Sequence, residues 1–115
     1  MLLRWERCIR LYGTCVEITD EIVAKEAAEI TYPLHTLVLP LAEGNCVTVT
    51  RDGVTMRVNP LEGGLTLSEV TDRYAVDLNE GVPLEFSVEM PRQYHVYYTA
   101  PPKREHRIRV RYEFS

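Results

Sequence analysis

The densest run of charge in the sequence is residues 103–111, which hold five cations and one acid. Three tyrosines, Tyr94, Tyr97 and Tyr98, lie a few residues upstream of that run. Groups of this kind bind single-stranded nucleic acid, because cations neutralise phosphates and aromatic rings stack on bases. One hypothesis is therefore a single-stranded nucleic-acid-binding β-barrel module that uses the basic strand and the three tyrosines.

The spacing of the arginines favours another function. Arg107, Arg109 and Arg111 alternate with apolar residues, so in a strand they form one row on the solvent-facing side. In a second alternating segment, one face has the row Glu85, Ser87 and Glu89, in which the two glutamates are acidic. The two rows would form ion pairs across neighbouring strands or between subunits. Because the chain carries a net charge of -4, protein contacts are favoured over nucleic acid.

Tyr97 joins these candidate contact residues. It lies on the opposite side of an alternating strand from Tyr94 and Tyr98, which are predicted to be buried or half-buried. Tyrosine is enriched at protein interfaces because it combines a rigid apolar ring with a polar tip. The predicted interaction residues are Tyr97, Arg107, Arg109, Arg111, Glu85 and Glu89.

No motif in the sequence indicates catalysis. The patterns G-x-S-x-G, G-x-x-x-x-G-K-[ST] and H-E-x-x-H do not occur. Gly63-Gly64 precedes a predicted strand rather than a helix, so a loop is expected there and not a phosphate site. His35, His95 and His106 are not spaced as metal ligands, which predicts surface or edge histidines. We therefore expect a protein that is not an enzyme and has no cofactor or metal.

The cysteines and the amino-terminal residues indicate the compartment. Cys8, Cys15 and Cys46 are an odd number without C-x-x-C spacing, which argues against a disulfide framework and predicts small buried side chains. Charges interrupt the first seven residues, so no signal peptide is expected. No segment has the roughly 18 uncharged residues of a membrane helix. Synthesis in the cytoplasm and no membrane partner are the expectation.

The elements that position these residues are predicted from turns. Asp52-Gly53 is a strong signal for a two-residue hairpin turn, because both positions of a type I′ turn need positive φ. Placing it in the turn pairs Val49 with Met56 and Val47 with Val58 on one face. A shift of one residue would mix apolar and polar side chains on both faces. The sequence therefore predicts one hairpin register here.

Two further hairpins are predicted in the same way. Gly13-Thr14 would pair Leu11 with Val16 and Ile9 with Ile18, and it would place Arg10 opposite Glu17. Asn79-Glu80-Gly81 would form a three-residue turn between two alternating segments. One alternative stays open near the amino terminus, where Leu2, Trp5, Ile9 and Tyr12 also fit one helical stripe.

Residues 19–30 fit two structures. Asp20 could cap a short helix in which Glu21 and Lys25 form an i,i+4 pair. The alternation of apolar residues around Ala24 also allows a strand, interrupted at Glu26. A short helix or an irregular strand is predicted here.

Later in the chain, Leu37, Leu39 and Leu41 form an alternating run, and so do Tyr94, Val96 and Tyr98, which end at the break Ala100-Pro101-Pro102. Ile108, Val110, Tyr112 and Phe114 form the last run, opposite the arginines. Strands with turns at this spacing predict a single all-β domain over residues 1–115. It would be an antiparallel β-sandwich, immunoglobulin-like or jelly-roll, or a small barrel, built from consecutive hairpins, with one possible short helix near residues 20–30.

The segment Tyr98-Thr99-Ala100-Pro101-Pro102 before the last alternating strand resembles the end of many immunoglobulin-like bacterial and viral modules. The resemblance implies a β-sandwich and carries no binding residues. Taken with the charge rows, the sequence favours a non-catalytic structural or interaction subunit of a larger assembly. Its partners would be copies of itself or other structural proteins, and a virion component, such as a phage capsid decoration or tail protein, is the predicted setting. Fold alone does not imply this function.

Overall fold

The computed structural model describes residues 2–71 and 94–115. Over these residues the chain forms seven strands and no helix, and all strand pairs are antiparallel. The strands are β1 (Leu2–Tyr12), β2 (Cys15–Thr36), β3 (Leu41–Glu43), β4 (Cys46–Arg51), β5 (Val54–Glu62), β6 (Thr66–Thr71) and β7 (Tyr94–Phe114). The predicted all-β class is confirmed. The predicted hairpin at Asn79-Glu80-Gly81 and the acidic row of Glu85 and Glu89 lie outside the described residues.

The Asp52-Gly53 hairpin has the predicted register. Val47 pairs with Val58 and Val49 with Met56 between β4 and β5. Asp52 and Gly53 have φ angles of 52° and 78°, as a type I′ turn requires. The inward side chains of the hairpin then supply two fully buried residues, Val47 and Val58, to the core.

The Gly13-Thr14 hairpin is also confirmed, with Leu11 opposite Val16, Ile9 opposite Ile18 and Arg10 opposite Glu17. Gly13 takes the positive φ of 53° in the turn. The helical stripe near the amino terminus is wrong, because β1 is extended over Leu2–Tyr12. Pairing with β2 outweighs the helical spacing of four apolar residues, because the Gly13-Thr14 turn sets β1 in register with β2.

The short helix near residues 20–30 is wrong as well. Those residues lie within β2, where Asp20 is buried rather than capping a helix, and Glu21 is opposite Arg107 instead of pairing with Lys25. The register of β2 against β7 shifts between Val23 and Ala28 and again between Ala28 and Ile30. This irregularity is what the interrupted alternation around Glu26 indicated, and the strand alternative is confirmed.

Strand β7 passes through the proline pair that was predicted to end it. Its 21 residues would extend about 70 Å if straight, whereas the longest dimension of the molecule is 49 Å. The strand must therefore bend. β6 pairs with its first part and β5 with its last part, so Pro101 and Pro102 lie between the two pairings, where no ladder hydrogen bond is lost.

One sheet contains all seven strands, in the order β1-β2-β7-β5-β4-β3, with β6 also paired to β7. Over residues 2–71 and 94–115 the sheet is not closed, and neither the predicted sandwich nor the predicted barrel is confirmed. Because the long strands bend, both parts of β7 contribute to one core. The buried members of that core are Val47, Val58, Leu65, Val96, Tyr98, Ala100, Ile108 and Val110. In the described part of the chain, no helix is long and apolar enough to cross a membrane.

The alternating leucines did not form the expected strand. β2 ends at Thr36, whose hydroxyl accepts a hydrogen bond from the Val38 amide at 3.1 Å, and β3 begins only at Leu41. Pro40 lies between them and lacks the amide hydrogen that a ladder needs. Leu37, Leu39 and Leu41 are instead exposed.

Candidate interaction surface

The predicted arginine row exists, and its partners lie on β2. Arg111, Arg109 and Arg107 are directly opposite Glu17, Thr19 and Glu21 of that strand. This row on β2 was not predicted, although its period of two and the charges of Glu17 and Glu21 match the arginines. Nothing local in the sequence indicates that β2 and β7 are neighbours.

Each arginine of the row contacts two carboxylates. Arg107 has Glu21 at 2.5 Å and Glu62 at 3.3 Å. Arg109 lies 3.7 Å from Glu17 and 3.8 Å from Glu62, and Arg111 lies 3.8 Å from Glu17 and 3.5 Å from Glu113. Because these guanidinium groups are partly exposed, each pair is worth only a few tenths of a kcal/mol. Together, the pairs join β7 to β2 through Glu17 and Glu21 and to β5 through Glu62, and they favour one register among these three strands.

Glu17 is the centre of this charged face. Its side chain is only 8% exposed, and it accepts a hydrogen bond from the Tyr12 hydroxyl. That hydrogen bond, followed by the charges of Arg111, Arg109 and Arg10, lowers the pKa of Glu17 below its ordinary value, although burial opposes the shift. The same hydrogen bond raises the pKa of Tyr12. The carboxylate form of Glu17 is thus the form that the fold stabilises.

Tyr97 lies on the predicted face, opposite to the fully buried Tyr98. Its hydroxyl is 3.2 Å from Nδ1 of His95, and the His95 ring stacks on His35 with centroids 4.3 Å apart. The prediction of surface or edge histidines is wrong for His95 and His106, which are buried. His106 Nε2 is 2.8 Å from the carbonyl oxygen of Ala28. That hydrogen bond satisfies the Ala28 carbonyl at the irregular part of β2. The spacing of the histidines in the sequence gives no indication of this contact.

A buried carboxylate links β1 to β2 on the other face of the sheet. Asp20 accepts hydrogen bonds from Trp5 Nε1 at 2.9 Å and from Arg7 Nε at 2.7 Å, and a third comes from Arg7 Nη2 at 3.1 Å. Asp20 is directly opposite Arg7 in the hairpin. When the predicted register is continued from the Ile9–Ile18 pair by two residues away from the turn, it places Arg7 opposite Asp20. The contact was not predicted, because residues 19–30 fitted both a short helix capped by Asp20 and an irregular strand.

An apolar cleft of about 610 Å³ adjoins this ion pair. Its walls include Leu2, Trp5, Ile18, Ile22, Tyr32 and Tyr112. The two tyrosine hydroxyls are 2.6 Å apart and bond to each other, while Arg7 and Trp5 bond to Asp20. Burial raises the pKa of Tyr32 and of Tyr112. The side chains of Trp5, Arg7 and Asp20 are therefore bonded to one another, as are those of Tyr32 and Tyr112, and most of the remaining lining is apolar.

Strand β1 borders the cleft and is exposed along its whole length. Six of its large apolar side chains are 40% to 77% exposed: Leu2, Leu3, Trp5, Ile9, Leu11 and Tyr12. Among the described strands, β1 pairs only with β2 and forms the end of the sheet. We call these side chains and the outer backbone edge of the strand the β1 surface. A long apolar edge strand of this kind is a template for pairing with another chain.

The cysteines differ from their prediction in burial. All three are free, but Cys8 is exposed on β1, and Cys15 and Cys46 are partly buried. Cys8 points to the same face as Glu6 and Arg10, because side chains alternate along a strand. A thiol therefore lies in the middle of the β1 surface, between an acid and a base.

The sequence matches no protein-family model. No curated protein is detectably similar to it either. The proposed function therefore rests on the fold and on the β1 surface.

Proposed function

We propose that this chain is a non-catalytic structural subunit that works by contact with other protein chains, and that the β1 surface is where it makes them. The observation that carries the proposal is the exposure of every residue of β1, six large apolar side chains included. Soluble proteins seldom leave an apolar strand of this length uncovered unless another chain covers it. The adjoining cleft widens the surface available to that chain.

The arginine row supports this proposal rather than nucleic-acid binding. Arg107, Arg109 and Arg111 each contact two carboxylates of the same chain, so binding phosphate would require breaking ion pairs already present. A virion component, as a capsid decoration or tail protein, stays the predicted setting of the assembly. Neighbouring genes for capsid, portal or tail proteins would test that setting.

The proposal is tested by charging the β1 surface. Leu11→Lys places a cation at the most exposed apolar residue of β1, and Val54→Lys is the matched control at a residue that is 54% exposed on another strand. Light scattering after size exclusion would measure self-association, and co-purification with the products of neighbouring genes would measure other contacts. We expect Leu11→Lys to abolish association and Val54→Lys to preserve it.

At a protein concentration at which the wild-type chain is itself dissociated, both variants should melt at the wild-type temperature, because both residues are exposed. If the wild-type chain associates with neither itself nor those gene products, the proposed function is wrong. Association that survives Leu11→Lys would place the contacts away from β1.

A further inference from the structure

We infer that the partner of the β1 surface is a second copy of this chain, joined edge to edge through antiparallel β1 strands on a two-fold axis at Cys8. The inference rests on the proposed function and specifies its partner. It is carried by the charges of β1, by the backbone groups on its outer edge and by the symmetry that two identical strands impose.

The outer edge of β1 offers a regular set of backbone groups. The two-residue turn makes Tyr12 and Cys15 a hydrogen-bonded pair, so every second residue from Tyr12 directs its backbone N–H and C=O toward β2. The residues between them, Trp5, Arg7, Ile9 and Leu11, therefore direct these groups outward. A second strand placed there would continue the ladder.

Symmetry limits the registers of such a pair. Two identical antiparallel strands in one continuous sheet are related by a two-fold axis perpendicular to the sheet, because residues directly opposite each other must point to the same face. The axis then passes through the position of one residue, which lies opposite its own copy. Each candidate axis predicts a different set of charge pairs.

An axis at Cys8 pairs opposite charges twice. Glu6 of each copy lies opposite Arg10 of the other, and Trp5 lies beside Leu11 on the apolar face. An axis at Arg7 or at Glu6 would bring that charged residue against itself, which is unfavourable. An axis at Ile9 would form no ion pair. An axis at Trp5 would pair Arg4 with Glu6, but it would align only residues 2–8 and include the irregularity near Leu2.

The charges within one copy also favour the axis at Cys8. Glu6 lies directly opposite Glu21, a like-charge pair, and Arg4 is 3.9 Å from each of them. Arg10 lies opposite Glu17, which already has Arg109 and Arg111 within 4 Å, and over the described residues Arg10 itself has no carboxylate that near. Since Arg107 also pairs with Glu21, Glu6 has only the Arg4 guanidinium, at 3.9 Å, to balance its charge, and Arg10 has no carboxylate within 4 Å among the described residues. The second copy supplies the counter-charge to both.

Two complementary variants test the pairing. Glu6→Arg alone and Arg10→Glu alone each create two like-charge contacts across the axis, and each should weaken dimerisation roughly tenfold or more. When the two variants are mixed, the Glu6→Arg copy presents two cations to the two acids of the Arg10→Glu copy. Sedimentation velocity should then show heterodimers, although each variant alone is largely monomeric. Effects within one chain are the same in both samples, so they cannot produce the recovery.

Cys8 gives an independent readout of the register. Cys8 would lie opposite its copy in a non-hydrogen-bonded pair, where Cα atoms are about 4.5 Å apart. That distance is within the range of about 4.4–6.8 Å that a disulfide spans. Mild oxidation with diamide, which takes up the two electrons and two protons of the thiols, should give a covalent dimer. Cys8→Ser should abolish it, and Cys15→Ser and Cys46→Ser should not.

The outcomes separate this inference from the proposed function. A dimer without the Cys8 cross-link and without recovery on mixing would overturn the inference while leaving a protein that associates through other contacts. A wild-type chain that is monomeric at high concentration would also overturn it, and the proposed function would then depend on binding to the products of neighbouring genes. Cross-linking at Cys8 together with recovery on mixing would support both.

Discussion

The guanidinium of Arg7 holds the carboxylate of Asp20 through two hydrogen bonds, from Nε at 2.7 Å and from Nη2 at 3.1 Å. The Asp20 side chain is 4% exposed, whereas that of Arg7 is 43% exposed. A buried carboxylate is tolerated only when its charge is paired and its oxygens are bonded. This contact therefore adds a buried ion pair to the backbone pairing that joins β1 to β2.

Removing Arg7 should be costly because it leaves that carboxylate without a counter-charge. We expect Arg7→Ala to lower the free energy of unfolding by about 3 kcal/mol, the lower end of the range for breaking a buried pair, since Arg7 itself is partly exposed. Arg4→Ala is the control, because the ion pairs of Arg4 with described residues are exposed and 3.9 Å long, and it should cost less than about 1 kcal/mol. Urea unfolding at one protein concentration would measure both. Equal losses would contradict the role given to Arg7.

Gly63 should not accept a side chain. A Cβ there would lie 2.7 Å from the carbonyl oxygen of Arg107 and 2.9 Å from Cγ1 of Ile108, and its φ is 109°. We expect Gly63→Ala to destabilise the fold by about 3 kcal/mol or more, because backbone strain and a steric clash add.

Gly44→Ala is the matched control for Gly63. Gly44 also has a positive φ, of 58°, but no atom of the described residues lies within 4 Å of a Cβ at that position. Strain alone should then cost about 1–2 kcal/mol. Thermal melting of the two variants would compare them, and a Gly44 variant as unstable as the Gly63 variant would show that the close approach to β7 has no cost.

Acid should destabilise the fold through Glu17. Its pKa is lowered by the hydrogen bond from Tyr12 and by the nearby arginines, so the folded state favours the carboxylate. The resulting stability is present above the ordinary value of 4.5 and is lost as the pH falls from there through the lowered pKa. We expect Glu17→Gln to reduce the fall in melting temperature between about pH 7 and about pH 3.

Tyr12→Phe should have a smaller effect of the same sign, because it removes the hydrogen bond but leaves Arg109 and Arg111 in place. Acid dependence in Glu17→Gln identical to that of the wild-type chain would contradict the assignment.

Alkali should destabilise the fold through Tyr98. Burial raises the pKa of this fully buried side chain from 10.0 to about 12, and its hydroxyl donates to the carbonyl oxygen of Asn45 at 3.0 Å. The unfolded chain therefore ionises first, and stability is lost as the pH rises from 10 toward 12.

Tyr98→Phe should cost about 1 kcal/mol at neutral pH, where the hydrogen bond is lost. The difference between variant and wild type should then narrow above pH 10, because phenylalanine does not ionise. Urea unfolding across this range would measure the difference. A difference that stays constant with pH would show that Tyr98 ionises alike in the folded and unfolded chains.

The parts of the fold that were predictable are the local ones. The turns at Asp52-Gly53 and Gly13-Thr14 fix their own registers, because glycine supplies the positive φ and the apolar residues then coincide on one face. The alternation of Ile108 and Val110 with the arginines also places these side chains correctly. Each of these predictions depends only on residues within one hairpin or one strand, and not on which strands are its neighbours in the sheet.

The parts that could not be predicted depend on distant pairing. The last strand of the chain, β7, lies between β2 and the pair β5 and β6, so the partners of Arg107 and Arg111 are on a strand from the opposite end of the sequence. The charge row was predicted, but its acidic partner was not. Asp20 is a different case, since a short helix capped by Asp20 was kept as an alternative to a strand although the hairpin register already placed this residue opposite Arg7.

The central position of β7 has a consequence for how the chain folds during synthesis. β2 emerges from the ribosome early and exposes one edge until the carboxy-terminal strand has been translated. Hairpins β1–β2 and β4–β5 can form on the nascent chain, but the sheet that joins them cannot. The contact order of the sheet is therefore high and its folding slow. A nascent chain that stalls before Tyr94 would present the 22-residue strand β2 to chaperones with its β7-facing edge unpaired.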